Sequence, residues 1–594
     1  MNKFIAKFLY VTKGKHKPLS LMLWLFIISS FLEMVGLGFV GPFSAMVTNP
    51  DYINSNLFLQ GLYVKFSINS PQKFIFYFGI LTVIIFYVKS ALSFFTQKSI
   101  AEFSHGLKGD LSSKLMKSYL SAPYTLHLSR NSADLVQSIV TFTDRFCIGL
   151  VLSLLTAISN GVVIIALVAL LISTNAAASL GITVVLFISL LILNPLKDKL
   201  AYWGKQGFDA SAEIIRILNH GLGGLKETRI IGCEPYFEAQ MDSAAKKYST
   251  NMGLASGYSN LPRYVVEAVI ISFLIVFAFL FVTFNQDDSQ NITSIFGIFA
   301  IASIRLLPAA GNTISCISII RYNIHSLDSI YAELKEAEEF ESQNEEFNIL
   351  PVHTSQSKPK LSFQSQITIE NLVYKYPNAQ TNALEQISLT IEKGHSIGLI
   401  GKSGSGKTTL VDVLMGLLSP QSGDILVDGI SVKDKIRAWQ NLIGYVPQSI
   451  FLIDDTLERN IAFGVPDNQI DRQKVQAAVE AAQLSEVIER LPMGLNTTVG
   501  ERGVLLSGGQ RQRVGIARAL YHEKEILVFD EATAALDNET ENLITDATKA
   551  LSGSKTIIII AHRLSTIEHC DRIYRLEQGC ITQSGNYQTV VLNQ

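Results

Sequence analysis

The stretch Gly401-Lys-Ser-Gly-Ser-Gly406-Lys407-Thr408 decides the reading of this chain. It satisfies the pattern G-x-x-x-x-G-K-[S/T], follows the apolar run 395–400 and opens the helical pattern 409–418. That strand–loop–helix setting is what a phosphate-binding loop requires. Its glycines let successive backbone N–H groups turn inward, and the helix that follows offers the positive end of its dipole. Gly401, Ser403, Gly404, Ser405, Gly406 and Thr409 are therefore candidate cradle residues. Lys407 is placed to neutralise β- and γ-phosphate charge, and the Thr408 hydroxyl to ligate Mg2+.

Downstream, Ile526-Leu-Val-Phe-Asp530-Glu531 reads as an apolar strand ending in two carboxylates. Such strand ends are common in ordinary α/β cores, but behind a P-loop they gain a chemical meaning. Asp530 suits the Mg2+ shell, and Glu531 is placed to polarise a water attacking the γ-phosphate.

Around these residues lie motifs that resemble those of ABC-transporter ATPases, in the order that family keeps. Leu506-Ser507-Gly508-Gly509-Gln510 resembles the family signature. Tyr376, before Pro377, resembles the aromatic residue that stacks on adenine. Gln448, in Tyr445-Val-Pro-Gln, resembles the glutamine that senses Mg2+ and the γ-phosphate, and Val499-Gly-Glu-Arg-Gly503 resembles the X-loop of exporters. Ala535-Leu536-Asp537 resembles the D-loop, with Ala534 where the family usually has serine, and His562 resembles the switch histidine on the γ-phosphate. The resemblance implies ATP and Mg2+ as cofactors, and ATP sandwiched between the P-loop of one cassette and the LSGGQ of another. One chain carries one of each, so it implies a homodimer or a pairing with a related half-transporter.

The rest of the chain is apolar. Hydrophobic residues make up 48% of the 594 and charged residues 17%, which fits a membrane half diluted by a soluble half. Six stretches are long enough to span a bilayer: 19–44, 74–95, 146–172, 178–193, 264–284 and 295–319, the last interrupted by Arg305 and Pro308. The expected fold is thus a polytopic α-helical membrane domain of six transmembrane helices plus an α/β P-loop cassette. The expected domains are 1–335, a linker 336–360 marked by acidic and proline-bearing sequence, and 361–594. The short segment 49–70 is open to two readings, an interfacial helix or a plain connection.

Charge gives the orientation. The tail before the first span carries Lys3, Lys7, Lys13, Lys15 and Lys17, and the long segments after the second and fourth spans are rich in Lys and Arg. The positive-inside rule then puts both termini, both long segments and the ATPase domain in the cytoplasm, with the chain in the inner (cytoplasmic) membrane. Those segments read as helical extensions; about 25 residues of helix would reach roughly 37 Å toward the motor. Residues 122–128 and 218–225 are, by resemblance, the expected coupling helices. The net charge of −2 points to no nucleic-acid partner, and the five cysteines show no metal-like spacing. No cleavable signal peptide is evident, and a start of the first span near residue 19 leaves no room for a protease domain before it.

Lys89, Arg263 and Arg305 lie at expected membrane depth, where charge is costly and marks either a pathway or a structural ion pair. The segments 304–312, 322–328, 261–264 and 86–91 resemble bacterial lipid-linked oligosaccharide flippases, in which basic residues handle pyrophosphate. Asn312 stands where that pattern expects another arginine. The resemblance implies ATP-driven flipping or export of a lipid-linked oligosaccharide or similar amphiphilic anionic glycolipid among membrane lipids. The alternative is an exporter of drugs, lipid A-like lipids or peptides. A soluble cassette ATPase that remodels nucleic acid is excluded by the six apolar spans.

Overall fold

Long apolar runs and short alternating ones fold into two separate units in the computed structural model. It describes residues 2–592 except 66–69, 175–179, 181–183, 185–194, 285–288, 344–360, 378, 532–545, 547 and 562. The first unit comprises Met1–Leu120 and Ser132–Glu339, and the second Ser121–Asn131 and Phe340–Gln594.

The first unit is built of helices: α1 (Asn2–Val11), α2 (His16–Thr48), α3 (Leu57–Lys65) and α4 (Pro71–Ser121). The next helix, α5, starts as Ser132–Gln137, passes through π-helical turns at Ser138–Phe142 and Arg145–Leu152, and continues as Ser153–Thr174. After it come α6 (Leu196–Gly223), α7 (Leu225–Ile231), α8 (Glu234–Phe284) and α9 (Ser289–Gln343). Three described helical stretches, His16–Thr48, Pro71–Ser121 and Asp134–Ser173, are long and apolar enough to cross a membrane. They contain the first three predicted spans. The fifth and sixth fall within α8 and α9, and the fourth lies outside the described residues but for Leu180 and Val184.

Three expectations need correction or refinement. Pro308 does not interrupt the sixth span, because α9 runs through it for 55 residues. A helix inside apolar surroundings keeps its remaining backbone bonds, so one missing N–H is tolerated. The acidic start of the predicted linker is likewise helical to Gln343. The segment 49–70 contains helix, at Tyr52–Ser55 and in α3, held because Ile53 and Leu59 are buried with Met46, Phe74 and Phe78.

The second unit has a four-stranded antiparallel sheet of order β2-β1-β4-β5, from β1 (Gln366–Tyr374), β2 (Leu384–Glu392), β4 (Ser422–Val427) and β5 (Ile430–Ser431). Its main sheet has order β10-β9-β3-β8-β7-β6. The strands are β3 (Ser396–Ile400), β6 (Ile443–Val446), β7 (Ile526–Asp530), β8 (Thr556–Ile560), β9 (Arg572–Glu577) and β10 (Cys580–Gly585). All neighbours run parallel except β10. The run Ile526–Asp530 reads as continuously apolar because it is covered on both faces. Ile526 and Val528 enter one core with Ile397, Leu399, Ile558 and Ile560, whereas Leu527 and Phe529 enter the other with Ile557 and Ile559.

Candidate nucleotide site

Strand register brings the sequence-predicted groups to one edge of the sheet. Leu399 pairs with Ile560, and Ile560 pairs with Asp530, so all three share a row. The phosphate loop leaves β3 just past that row, two strands from the Asp530–Glu531 pair, or about 10 Å at the usual strand spacing. Val446 pairs with Phe529 on the far side, which sets Gln448 at the same edge. Ligands of open α/β sheets bind at this carboxyl end of the strands.

The loop then turns into a helix, Lys407–Leu414, capped by Gly406 at φ +102°. A Cβ there would approach the Ala383 carbonyl oxygen to 2.8 Å, so both backbone angle and space require glycine. Lys407 is buried, and its ammonium donates to the carbonyls of Gly401 (2.9 Å) and Lys402 (3.1 Å). Burial holds the Lys407 pKa below its usual range, against the pull of Glu531 and Asp530. Ser405 Oγ is buried with no hydrogen-bond partner among the described residues. A buried hydroxyl and a folded-in ammonium at the start of a helix are what an oligophosphate would satisfy. Thr408 is exposed at the first turn, while the Thr409 hydroxyl lies 3.1 Å from that of Tyr376. The Tyr376 ring meets Tyr374 edge-on at 5.0 Å.

Asp530 is buried and accepts the Tyr445 hydroxyl at 3.0 Å. Glu531 sits at φ +49° in the left-handed region, a conformation costing about 1–3 kcal/mol in a residue with a side chain. Its N–H donates to Ile560 (3.1 Å), and its carboxylate accepts Gln448 Nε2 at 2.7 Å. Gln448 is fixed in turn, because its carbonyl accepts Gln512 Nε2 at 2.7 Å. Ser507 caps the helix Gly508–Tyr521 through a capping box: its Oγ accepts the Gln510 N–H, and its own N–H donates to Gln510 Oε1 at 2.8 Å. That leaves Ser507 and Gly508 exposed at a helix N-terminus, with Gly509 buried beneath. His562 and Asp537 lie outside the described residues.

Three contributors carry no motif signal that sequence reasoning used: Tyr445 and Gln512, which hold Asp530 and Gln448, and Asp412 on the P-loop helix. Asp412 is pushed up to about 6, first by burial and then by the Asp530 charge. The native state therefore keeps this proton at pH values where the unfolded chain, near 4, has lost it. Stability attributable to Asp412 is present below about pH 4 and declines as pH rises through about 6. Asp412→Asn is expected to remove that decline. Thermal melts of wild type and variant from pH 4 to 7 check this, since only their difference reports Asp412.

Of the three basic residues predicted to face a substrate, the structure describes the side chain of one, Lys89. Lys89 is 2% exposed and donates to Glu33 Oε1 at 2.5 Å, with the Phe86 ring 5.6 Å from the ammonium. An ammonium withdrawn from water needs a counter-ion, and α2 supplies it across the interface with α4. The side chains of Arg263 and Arg305 lie outside the described residues.

Comparison with known proteins gives a consistent picture. The family described as ABC transporter matches residues 384–534, which include the P-loop, the LSGGQ and both carboxylates. The ATP-dependent lipid A-core flippase of Aromatoleum aromaticum is 30% identical over 491 residues, covering 82% of this chain and 78% of the relative. The protein of the same name from Cupriavidus metallidurans is 28% identical over 509 residues, covering 85% and 83%. Among solved structures, a bacterial Atm1-family ABC exporter with ATP bound superposes with a TM-score of 0.72 at 21% identity, over 98% of this chain and 96% of that one. At that identity the likeness establishes the fold.

Proposed function

This chain belongs to the ABC transporter family, as an exporter-type half-transporter that couples ATP hydrolysis to transport, and we propose that it flips a phosphorylated, anionic glycolipid across the inner membrane as a homodimer. The observation that carries the substrate reading is the extent of the likeness to lipid A-core flippases, which runs through the membrane helices as well as the cassette. The chain divides at about 1–335, 336–360 and 361–594, with both termini cytoplasmic.

In this reading Tyr376 stacks on adenine while Gly401, Ser403, Gly404, Ser405, Gly406, Lys407 and Thr409 hold the phosphates. Bound Mg2+ supplies neutralisation of the phosphate charge, and Thr408, Gln448 and Asp530 are the groups that would hold it. Among the described residues no three His, Cys, Asp or Glu side chains converge into a metal site, which fits an ion carried mainly by phosphate oxygens and water. Glu531 accepts a proton from the attacking water, and Gln448 orients its carboxylate. Ser507, Gly508, Gly509 and Gln510 complete the partner's phosphate site, and His562 and Asp537 take the roles their motifs imply. The binding energy of ATP then favours one arrangement of the membrane helices over the other. Residues 121–131 belong to the cassette unit, which suits the assignment of 122–128 as a coupling segment.

The test is ATP-dependent flipping in proteoliposomes, run in parallel with lipid A and a polyprenyl-pyrophosphate oligosaccharide, with Glu531→Gln as control. Movement of either lipid by wild type alone is expected, and the lipid moved sets the head group. ATPase activity without movement of either would overturn the glycolipid reading.

A further inference from the structure

Beneath the predicted spans, the first unit contains a cavity of about 370 Å³ whose wall has an unusual charge pattern. Arg145, Lys205 and Arg321 line it together with His325, and no Asp or Glu is among its described lining residues. Phe142, Tyr202, Phe208 and Tyr322 supply the aromatic part of the wall. Charged side chains that merely solvate a helix face usually alternate in sign or pair. Arg145, Lys205 and Arg321 have no carboxylate within ion-pair distance among the described residues. Arg145 is instead held by rings: its guanidinium lies 4.0 Å from the Phe208 ring centre and 5.7 Å from that of Tyr322. That contact fixes the side chain without neutralising it, so its charge stays available to an anion.

The backbone is arranged to make this wall. Arg145 begins the longer π-helical turn of α5, and such turns shift the facing of side chains at functional sites. Gly204 of α6 packs so closely against Tyr322 that a Cβ would collide with the edge of its ring. Its absence lets Tyr322 stand between the cationic cavity and a second one of about 140 Å³. The second cavity is lined by Leu200, Met252, Ala255 and Ile319 with a few serines. Arg145 precedes the predicted third span by one residue, and Arg321 follows the sixth by two. On those predicted boundaries, the cavity falls at the level where lipid head groups of the cytoplasmic leaflet end and water begins.

A cationic chamber beside an apolar one, sharing the Tyr322 wall at the membrane surface, matches an amphiphile with a phosphate-bearing head. We propose that Arg145, Lys205 and Arg321 form a phosphate-recognition site that receives the head group of the transported lipid on the cytoplasmic side. The proposal rests on the glycolipid reading for the identity of the lipid, but the binding site is testable apart from it. Lys205 and Arg321 are exposed and the better targets, since Arg145 also packs.

The experiment is equilibrium binding to the full-length dimer in detergent without nucleotide, using bis-phosphorylated lipid A, its enzymatically dephosphorylated form and inorganic pyrophosphate. The phosphorylated lipid is expected to bind at least tenfold more tightly than the dephosphorylated one. Lys205→Gln with Arg321→Gln is expected to abolish that preference, and Arg321→Lys to keep most of it, with melting temperatures confirming that the variants fold. Competition by pyrophosphate at similar affinity would show that the site takes the phosphate alone; weak competition would show that the lipid body contributes through the apolar chamber. Equal binding of both lipids by wild type, or an unchanged preference in the double variant, would overturn the site. Binding that follows this pattern while no lipid moves in proteoliposomes would sink the flippase reading and leave the site standing.

Discussion

Glu531→Gln is expected to lower phosphate release by about 10²–10⁴-fold while leaving ATP binding nearly intact. The substitution replaces one carboxylate oxygen with an amide and keeps size, so the left-handed backbone at φ +49° is no more strained than before. The amide oxygen can still accept Gln448 Nε2, the partner at 2.7 Å. Position is thus preserved and proton acceptance is lost. Lys407 and the loop amides, which set phosphate affinity, sit on a different strand end and keep their contacts. Titration with a fluorescent ATP analogue and a phosphate-release assay on the same preparation separate the two quantities. Near-normal release would sink the assignment of Glu531 as base. Loss of binding and release together would mean that the side chain supports the fold of the loop, a cost that Gln448→Ala should then reproduce.

How much of this site was legible beforehand follows from where each residue's constraint comes from. The P-loop and the Asp530–Glu531 pair are readable because their chemistry is local: glycines, a lysine and a helix start within eight residues, or carboxylates ending a doubly buried strand. The row shared by Leu399, Ile560 and Asp530 depends on strand order across the sheet, which no local pattern encodes. For the same reason Tyr445, Gln512 and Asp412 were not singled out. Each acts through a partner distant in sequence, such as Gln512 on Gln448 across 64 positions. In the membrane half, hydropathy marked the helices because length and apolarity are enough. It mistook Pro308 for an interruption, since a helix in apolar surroundings has no water to take over its backbone bonds. The cations Arg145 and Lys205 counted only toward orientation when read along the chain. Their meeting with Arg321 takes three helices and the missing side chain of Gly204, none of which is a sequence signal.

Lys89 shows the opposite case, a residue whose chemistry was visible but whose partner decides its role. Lys89→Met alone is expected to destabilise the protein by about 3–5 kcal/mol, because it removes the 2.5 Å ion-pair partner of a Glu33 side chain that is only 7% exposed. Lys89→Met combined with Glu33→Met should recover most of that loss, since removing both charges also removes both desolvation costs. The Phe86 ring beside the ammonium already supplies apolar contact for the replacement. Thermal melts of the two single variants and the double variant in one detergent form the cycle, and a large coupling is the expected result. If Lys89→Met melted like wild type yet abolished lipid movement, the ammonium would have to leave Glu33 during transport and meet an anion. If the double variant melted normally and also transported normally, the pair is structural, and the cations that meet the substrate are those nearer the cytoplasmic surface.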